Sequence, residues 1–484
     1  MINFKKISRV LGILLIINGL FMLLCLPFSF IDERPDDEIA LIISGGITLV
    51  VGLGGWRFSL KATHRDLKKR DGYLIVVGGW LLMSFFGSLP YLLSGAIPNY
   101  ADAFFETVSG FTTTGATVLT NIEGVDRGIL FWRSLTQWIG GMGIIVLAIA
   151  ILPFLGIGGM QLFVAEAPGI SPDKLQPRIK ETAKRLWFIY LGLTILECVL
   201  LMLGGMSFYD AINHSLTTMA TGGFSTKNAS AAHFDSPYIQ YVLIIFMFLA
   251  GTNFTINYFF VKGKFKKIWL NEEFRTYVFL TGIFVLIVST TVYFVTDSGA
   301  ERSFRDALFQ VVSVITTTGF VSADFTSWAP FITILFFIFM FMGASAGSTA
   351  GGVKIVRHVI LMKNSFLELK RQLHPSAVIP VRLNNKAVSQ DITFNVLAFI
   401  FIYIIVFCIG SLILASMGLD FLTAIGAVAT SLGNIGPGLG TVGPVDNFAH
   451  LPGAAKWVLS FLMLMGRLEL FTFLILLSPY FWQK

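Results

Sequence analysis

Ten apolar stretches set the terms for this chain. They run approximately over 10–29, 39–56, 74–95, 128–152, 185–206, 238–261, 276–296, 329–361, 392–416 and 454–481. Most approach the 20 or so residues that carry a helix across about 30 Å of hydrocarbon. In lipid every backbone polar group must find its partner inside the protein, so apolar runs of this length cross as helices. Composition agrees: 55% of the 484 residues are hydrophobic and only 13% are charged, against roughly 25% charged in soluble chains. The sequence predicts an all-α polytopic membrane protein in the lipid bilayer. A soluble enzyme, a nucleic-acid binder and a secreted disulfide scaffold are excluded.

Charge supplies orientation. Lys and Arg in 1–9, 57–70, 174–185, 262–275, 354–386 and at 484 make up 27 of the chain's 35. With ten spans these segments share one side, which the positive-inside rule assigns to the cytoplasm together with both termini. Asp32, Glu33, Asp36, Asp37 and Glu38 fall on the other side. The net charge of +7 is therefore an orientation signal. Lys5, Lys6 and Arg9 precede the first apolar run, but that run is long for a signal peptide and has no small-residue cleavage site; it is expected to be retained. Cys25, Cys198 and Cys408 sit singly within apolar runs and read as small hydrophobes.

Between spans, a shorter unit recurs four times. Asp102-Ala103-Phe104-Phe105 leads to Thr112-Thr113-Thr114-Gly115-Ala116-Thr117, and Asp210-Ala211-Ile212 leads to Thr221-Gly222-Gly223-Phe224-Ser225. Asp306-Ala307-Leu308-Phe309 leads to Thr317-Thr318-Gly319-Phe320. Asp102, Asp210 and Asp306 each precede the aligned glycine by 13 residues. A degenerate fourth copy runs from Asp420 to Asn434-Ile435-Gly436-Pro437. The unit reads as helix, half-helix, glycine-bearing loop, helix, after two extra N-terminal spans. The divisions are 1–70 for those two spans, then 71–160, 161–268, 269–372 and 373–484 for the four repeats.

A half-helix too short to cross must return, and its loop is tolerated at membrane depth only when shielded or lining water. Asp at its start is expected to cap free amides, and Gly at its end permits unusual backbone angles. Four such loops about one axis would offer a ring of carbonyls in place of a cation's hydration shell. The competing reading, Thr-Gly clusters that merely end or pack helices, must explain four copies in register with the spans.

Two further features bear on a pathway. Gly343-Ala344-Ser345-Ala346-Gly347-Ser348-Thr349-Ala350-Gly351-Gly352 interrupts a Phe-rich run with ten small residues. It is either a close packing surface or a broken helix with a flexible intramembrane loop, anchored by Lys354 just beyond it. Arg467, within the last span, is either paired with Glu469 or another carboxylate, snorkelling, or facing water. Glu197, Asn253 and His214 are expected to make structural hydrogen bonds.

These motifs, with Gln137-Trp138-Ile139-Gly140-Gly141-Met142-Gly143, Gly436-Pro437-Gly438-Leu439-Gly440 and Gly466-Arg467-Leu468-Glu469, resemble the Trk/Ktr/HKT superfamily of potassium transporters, most of all its bacterial TrkH branch. The resemblance spans essentially the whole chain, including the two leading helices. It implies a channel-like potassium-uptake pore within one protomer, with no enzymatic chemistry. Its selectivity filter, binding K+, would comprise Thr113, Thr114, Gly115, Thr221, Gly222, Gly223, Thr317, Thr318, Gly319, Asn434, Ile435 and Gly436. Sodium-favouring plant members carry Ser where this chain has Gly115, which favours potassium. The divergent fourth copy implies looser selectivity than four identical loops would give. The resemblance makes 343–352 and Arg467 the gate. It implies a homodimer in the bacterial cytoplasmic (inner) membrane and no cofactor in this chain. A cytosolic TrkA subunit would bind NAD(H) or ATP/ADP, docking on the basic loops. Ion-coupled symport is the other transport class; Glu197 and Glu469 offer little for the carboxylate relay it needs.

Overall fold

A computed structural model of the chain describes residues 2–32, 34–59, 68–143 and 179–483. Parts of two basic segments (60–67 and 174–178) and the end of the fourth expected span (144–152) lie outside those residues. Among the described residues six helices are long and apolar enough to cross a bilayer: Phe4–Asp32, Pro35–Phe58, Arg70–Leu93, Lys184–Leu203, Glu272–Val295 and Gln390–Ser416. Two more candidate crossings are sharply bent pairs. Pro237–Ala250 meets Phe254–Val261 at 113°, and Gly453–Arg467 meets Phe471–Leu477 at 119°.

Of the ten expected spans, the one at 329–361 is expected to carry an interruption. The run 329–361 divides into Pro330–Phe339 and Ile355–Leu373, with no helix between them. Breaks were expected in that span alone, yet the spans at 238–261 and 454–481 break as well. Hydropathy cannot register these interruptions, because a few residues of altered backbone sit inside otherwise apolar sequence. At the last one Glu469 and Leu470 both adopt positive φ, near 55°. At the earlier one the Asn253 side chain accepts from Thr255 N–H and starts a new helix.

The two leading helices, Phe4–Leu23 and Pro35–Phe58, pack together through glycine. A Cβ at Gly12 would lie 2.6 Å from the Gly52 carbonyl oxygen, and one at Gly19 would lie 2.9 Å from that of Gly45. Small residues allow such close backbone approach where lipid supplies no hydrophobic drive between helices.

Polarity is distributed inside-out. Lipid-facing positions such as Val50, Leu203, Phe294 and Phe401 are exposed, whereas Glu106, Arg133, Thr112, Thr113, Thr114, Thr316, Thr317, Thr318 and Asn434 are buried. A membrane protein places polar groups inside because hydrocarbon leaves them no other partner. On the face that charge assigns to the cytoplasm, Arg382–Leu383 pairs antiparallel with Lys386–Ala387. The turn uses Asn384 and Asn385, both at positive φ, as two-residue hairpins require.

Candidate permeation site

Four short helices, Tyr100–Phe111, Phe208–Met219, Ala300–Ile315 and Phe421–Gly433, lead into the four predicted loops. Each ends in the same backbone device. Thr113, Thr221, Thr317 and Asn434 take left-handed angles, with φ of 54°, 54°, 58° and 54°. Their N–H groups donate back to the carbonyls of Gly110, Thr218, Val314 and Ser431. The next residues, Thr114, Gly222, Thr318 and Ile435, donate to Ser109, Thr217, Ser313 and Thr430 at 2.8–2.9 Å. This is the Schellman pattern of helix termination. Asn tolerates the left-handed region, but β-branched Thr is an outlier there. Each such residue stores about 1–3 kcal/mol of strain, which collects at functional sites.

The helix starts differ from expectation. Only Asp420 is a cap, accepting from Thr423 N–H at 3.1 Å. Asn99 and Ser207 cap the first two helices. Asp102 instead accepts from Lys456 Nζ at 2.7 Å, and Asp210 from the Thr226 hydroxyl at 2.6 Å. Asp306 lies well inside the third helix, 3.8 Å from Arg302. The Asp-to-Gly spacing records the repeat, while in the first two helices the capping role goes to Asn99 and Ser207, and the third helix, starting after Gly299, has no side-chain cap.

Two residues beyond each left-handed position stand Gly115, Gly223, Gly319 and Gly436. A Cβ at Gly115 would lie 2.1 Å from the Gly222 carbonyl oxygen; at Gly223, 2.0 Å from that of Thr318; at Gly319, 2.8 Å from Gly436 N. At Gly436 it would lie 3.1 Å from the Gly115 carbonyl oxygen. The loops thus touch in the order first, second, third, fourth and back to the first, a closed ring that leaves no room for side chains at the joints. Gly115, Gly223 and Gly319 have φ of 85°, 74° and 81°; Gly436, preceding Pro437, does not take positive φ. Asn434 of the fourth loop donates to the Thr114 hydroxyl at 3.1 Å and the Met463 carbonyl at 2.9 Å. Thr113 Oγ1 and Asn434 Oδ1 are buried oxygens with no protein hydrogen-bond partner. A buried acceptor without a partner costs free energy that water or a cation would offset.

The small-residue segment lies directly beneath the ring. Gly343 N–H donates to the Val353 carbonyl at 2.8 Å and Ile355 N–H to the Ala344 carbonyl at 3.1 Å, so its ends are pinned together. Its middle contacts the second and fourth repeats and the third repeat's own loop. Gly351 N–H donates to the Thr317 hydroxyl at 2.7 Å, and a Cβ at Gly351 would meet that of Asn434 at 2.6 Å. The Thr349 hydroxyl donates to the Met219 and Ala250 carbonyls at 3.0 and 3.3 Å. Ser345 N–H donates to the Gly251 carbonyl and Phe254 N–H to that of Gly347, both at 3.0 Å. The Ser348 hydroxyl turns back onto the Ser345 carbonyl at 2.6 Å. Lys354 Nζ donates to the Ala350 and Gly351 carbonyls and anchors the segment as expected.

Arg467 completes the arrangement. From the bend in the last span its guanidinium donates to the Thr349 carbonyl at 2.7 Å and to those of Gly140 and Gly141 at 2.5 and 2.9 Å. It joins the first, third and fourth repeats under the ring. Glu469, the alternative partner, forms a salt bridge with Arg357.

Sequence reasoning missed two contributors, Glu273 and Gln137; Asn253, expected to make structural hydrogen bonds, makes them to the segment itself. Asn253 donates to the Ala346 carbonyl at 2.6 Å and Glu273 accepts from Ala346 N–H at 2.7 Å, so both grip the segment. Gln137 donates to the Gly222 carbonyl at 2.7 Å and accepts from Phe224 N–H at 3.1 Å. Gln137 stands within the Gln137-Trp138-Ile139-Gly140-Gly141-Met142-Gly143 motif, but nothing local in the chain points it at Gly222. His214 makes structural hydrogen bonds, as expected, to Ser225 and the Asp210 carbonyl.

A family model described as "TrkH: Cation transport protein" matches residues 40–484. The chain is 41% identical over 488 residues to the Trk system potassium uptake protein TrkH of Salmonella typhimurium, covering all of both chains. It is 42% identical over 493 residues to the protein of the same name from Vibrio parahaemolyticus, again covering both in full. Its structure matches the crystal structure of the potassium transporter TrkH from Vibrio parahaemolyticus with a TM-score of 0.88, 40% identity and complete coverage of each.

Proposed function

The chain belongs to the TrkH family of cation transport proteins, transporters rather than enzymes, and on that premise we propose that it takes up potassium through a channel-like pore of its own. The ring of loops at Gly115, Gly223, Gly319 and Gly436 carries this reading. Four backbones in mutual contact hold oxygens at a fixed separation, and an ion sheds its hydration shell only where such oxygens replace water. The C-terminal ends of the four short helices turn their partial negative charge toward the entrance beneath the ring, which favours cations there. Gly115, where a serine would collide with Gly222, keeps the first loop compatible with potassium.

The segment 343–352 with Arg467 is the gate in a shut state. A guanidinium placed under the ring repels cations, and the hydrogen bonds from Thr349 and Arg467 span the path. Opening means exchanging these bonds for water or for other partners. Because the relatives are named for a Trk system, a cytosolic TrkA subunit carrying the nucleotide is the expected regulator, acting on a homodimer in the inner membrane with both termini cytoplasmic. The basic segments 262–275 and 354–386 support that orientation.

Flux through the purified protein in liposomes tests the reading, with potassium and sodium compared at fixed voltage and no proton gradient. Potassium flux exceeding sodium flux is expected. Equal flux for both ions, or none for potassium with the regulator and its nucleotide present, sinks it.

A further inference from the structure

Nine residues ahead of the four ring glycines stand Glu106, His214, Gln310 and Ala427, one at the same level of each short helix. The first three reach forward to the far end of their own loop. Glu106, wholly buried, accepts from Val118 N–H at 2.8 Å and from the Thr117 hydroxyl at 3.0 Å. His214 Nε2 lies 2.9 Å from Ser225 Oγ, and Gln310 Nε2 donates to Ser322 Oγ at 3.3 Å. Ala427 has nothing to extend. The fourth loop is held instead by its own backbone, Gly438 N–H donating to the Val442 carbonyl at 2.7 Å, and by Thr441 N–H, which donates to the Thr423 hydroxyl at 2.9 Å.

The first brace is also tied to the second loop. Arg133 Nε donates to Glu106 Oε1 at 2.7 Å, with the two side chains 3% and 0% exposed. Its Nη1 donates to the Ser225 carbonyl at 3.0 Å, and the guanidinium lies 3.5 Å from the Phe224 ring centroid. One turn along the same helix, Gln137 holds the Gly222 carbonyl and Phe224 N–H. Residues four apart share a helix face, so this face grips the second loop over 222–225 while Glu106 binds the grip to the first. A buried ion pair adds little net stability, because desolvation offsets its attraction. Its consequence here is geometric: together with the Gly115–Gly222 joint and the bonds of Asn228 to Ile122 and Glu123, it fixes the separation of the two loops.

We propose that Glu106, Arg133 and Gln137 are positioning residues that hold the first and second loops apart at the width potassium needs. Discrimination against a smaller cation requires that the oxygens not close in around it. The braces on the first and second loops resist that closure. The inference rests on the proposed potassium pore.

The test is the reversal potential under bi-ionic potassium and sodium, measured on the purified full chain in planar bilayers or liposomes. That ratio is independent of how many molecules are active, so a merely structural loss does not move it. Glu106→Gln and Gln137→Met are each expected to lower the potassium-to-sodium permeability ratio roughly fivefold, the weight of about one net hydrogen bond. Glu272→Gln, which breaks a distant ion pair with Lys363, is expected to leave it unchanged. A potassium-selective parent whose ratio is untouched in both variants overturns this inference and leaves the pore standing; a parent without potassium preference overturns the pore itself. If Glu106→Gln does not fold, Gln137→Met alone decides.

Discussion

Gly115→Ala adds a single methyl group at the joint between the first and second loops. The backbone there stands at φ 85°, and an L-residue in left-handed geometry costs about 1–2 kcal/mol. The new Cβ falls 2.1 Å from the Gly222 carbonyl oxygen, where real Cβ contacts essentially never come under 3.0 Å, so the carbonyl must retreat by the 0.9 Å between those two values. It is not free to do so, because Gln137 Nε2 holds it at 2.7 Å. Losing that bond costs about 1 kcal/mol more. The total of about 2–3 kcal/mol falls on the ring rather than on the spanning helices. At 1.4 kcal/mol per factor of ten, this is a roughly 30- to 140-fold loss of the ion-competent arrangement. Rubidium uptake into liposomes, normalised to folded protein by size-exclusion chromatography, reads the loss, and bi-ionic potentials read the accompanying fall in selectivity. A well-folded Gly115→Ala protein with rubidium uptake and a permeability ratio within about twofold of the parent would refute the reasoning, since one net hydrogen bond alone is worth more.

Three further outcomes concern the segment beneath the ring. Arg467→Ala removes a charge and the bonds to Thr349, Gly140 and Gly141; charge-assisted bonds are worth about 1.5–3 kcal/mol, so flux without the regulator is expected to rise roughly tenfold or more. An unchanged basal rate contradicts that role. Thr349→Val keeps the shape but loses the hydroxyl that donates to Met219 and Ala250, and basal flux should rise roughly fivefold, measured in the same liposomes. Deleting 344–350 should make potassium flux independent of the regulator and its nucleotide; a deleted protein that still needs them for flux removes the segment from the gating scheme.

Much of this molecule was legible in the chain because the relevant physics is local. Twenty apolar residues declare a span wherever they lie. The recurrence of Thr and Gly at matching distances identified four loops, and the structure gives their helix ends one common backbone. Even the divergent fourth copy was recognisable, since Asn434 takes the same left-handed angle as Thr113, Thr221 and Thr317. What the chain alone could not supply was every relation between distant residues. Asn434 and Thr114 are 320 positions apart when they bond, and Arg467 and Gly140 are 327 apart. The cyclic order of the loops, the partner of Arg467 and the grip of Arg133 on Phe224 all arose only when the four loops came together in the fold. The breaks at 251–253 and 468–470 were hidden for the same reason. A helix is interrupted inside apolar sequence only when some other part of the fold takes over its freed backbone groups, as Ser345 does at Gly251 and Asn253 at Ala346. Hydrophobicity and turn chemistry determined what the pieces were; tertiary contact decided which carbonyl each buried donor would reach, because in a dry interior that choice is made by whatever partner comes within 3 Å or so.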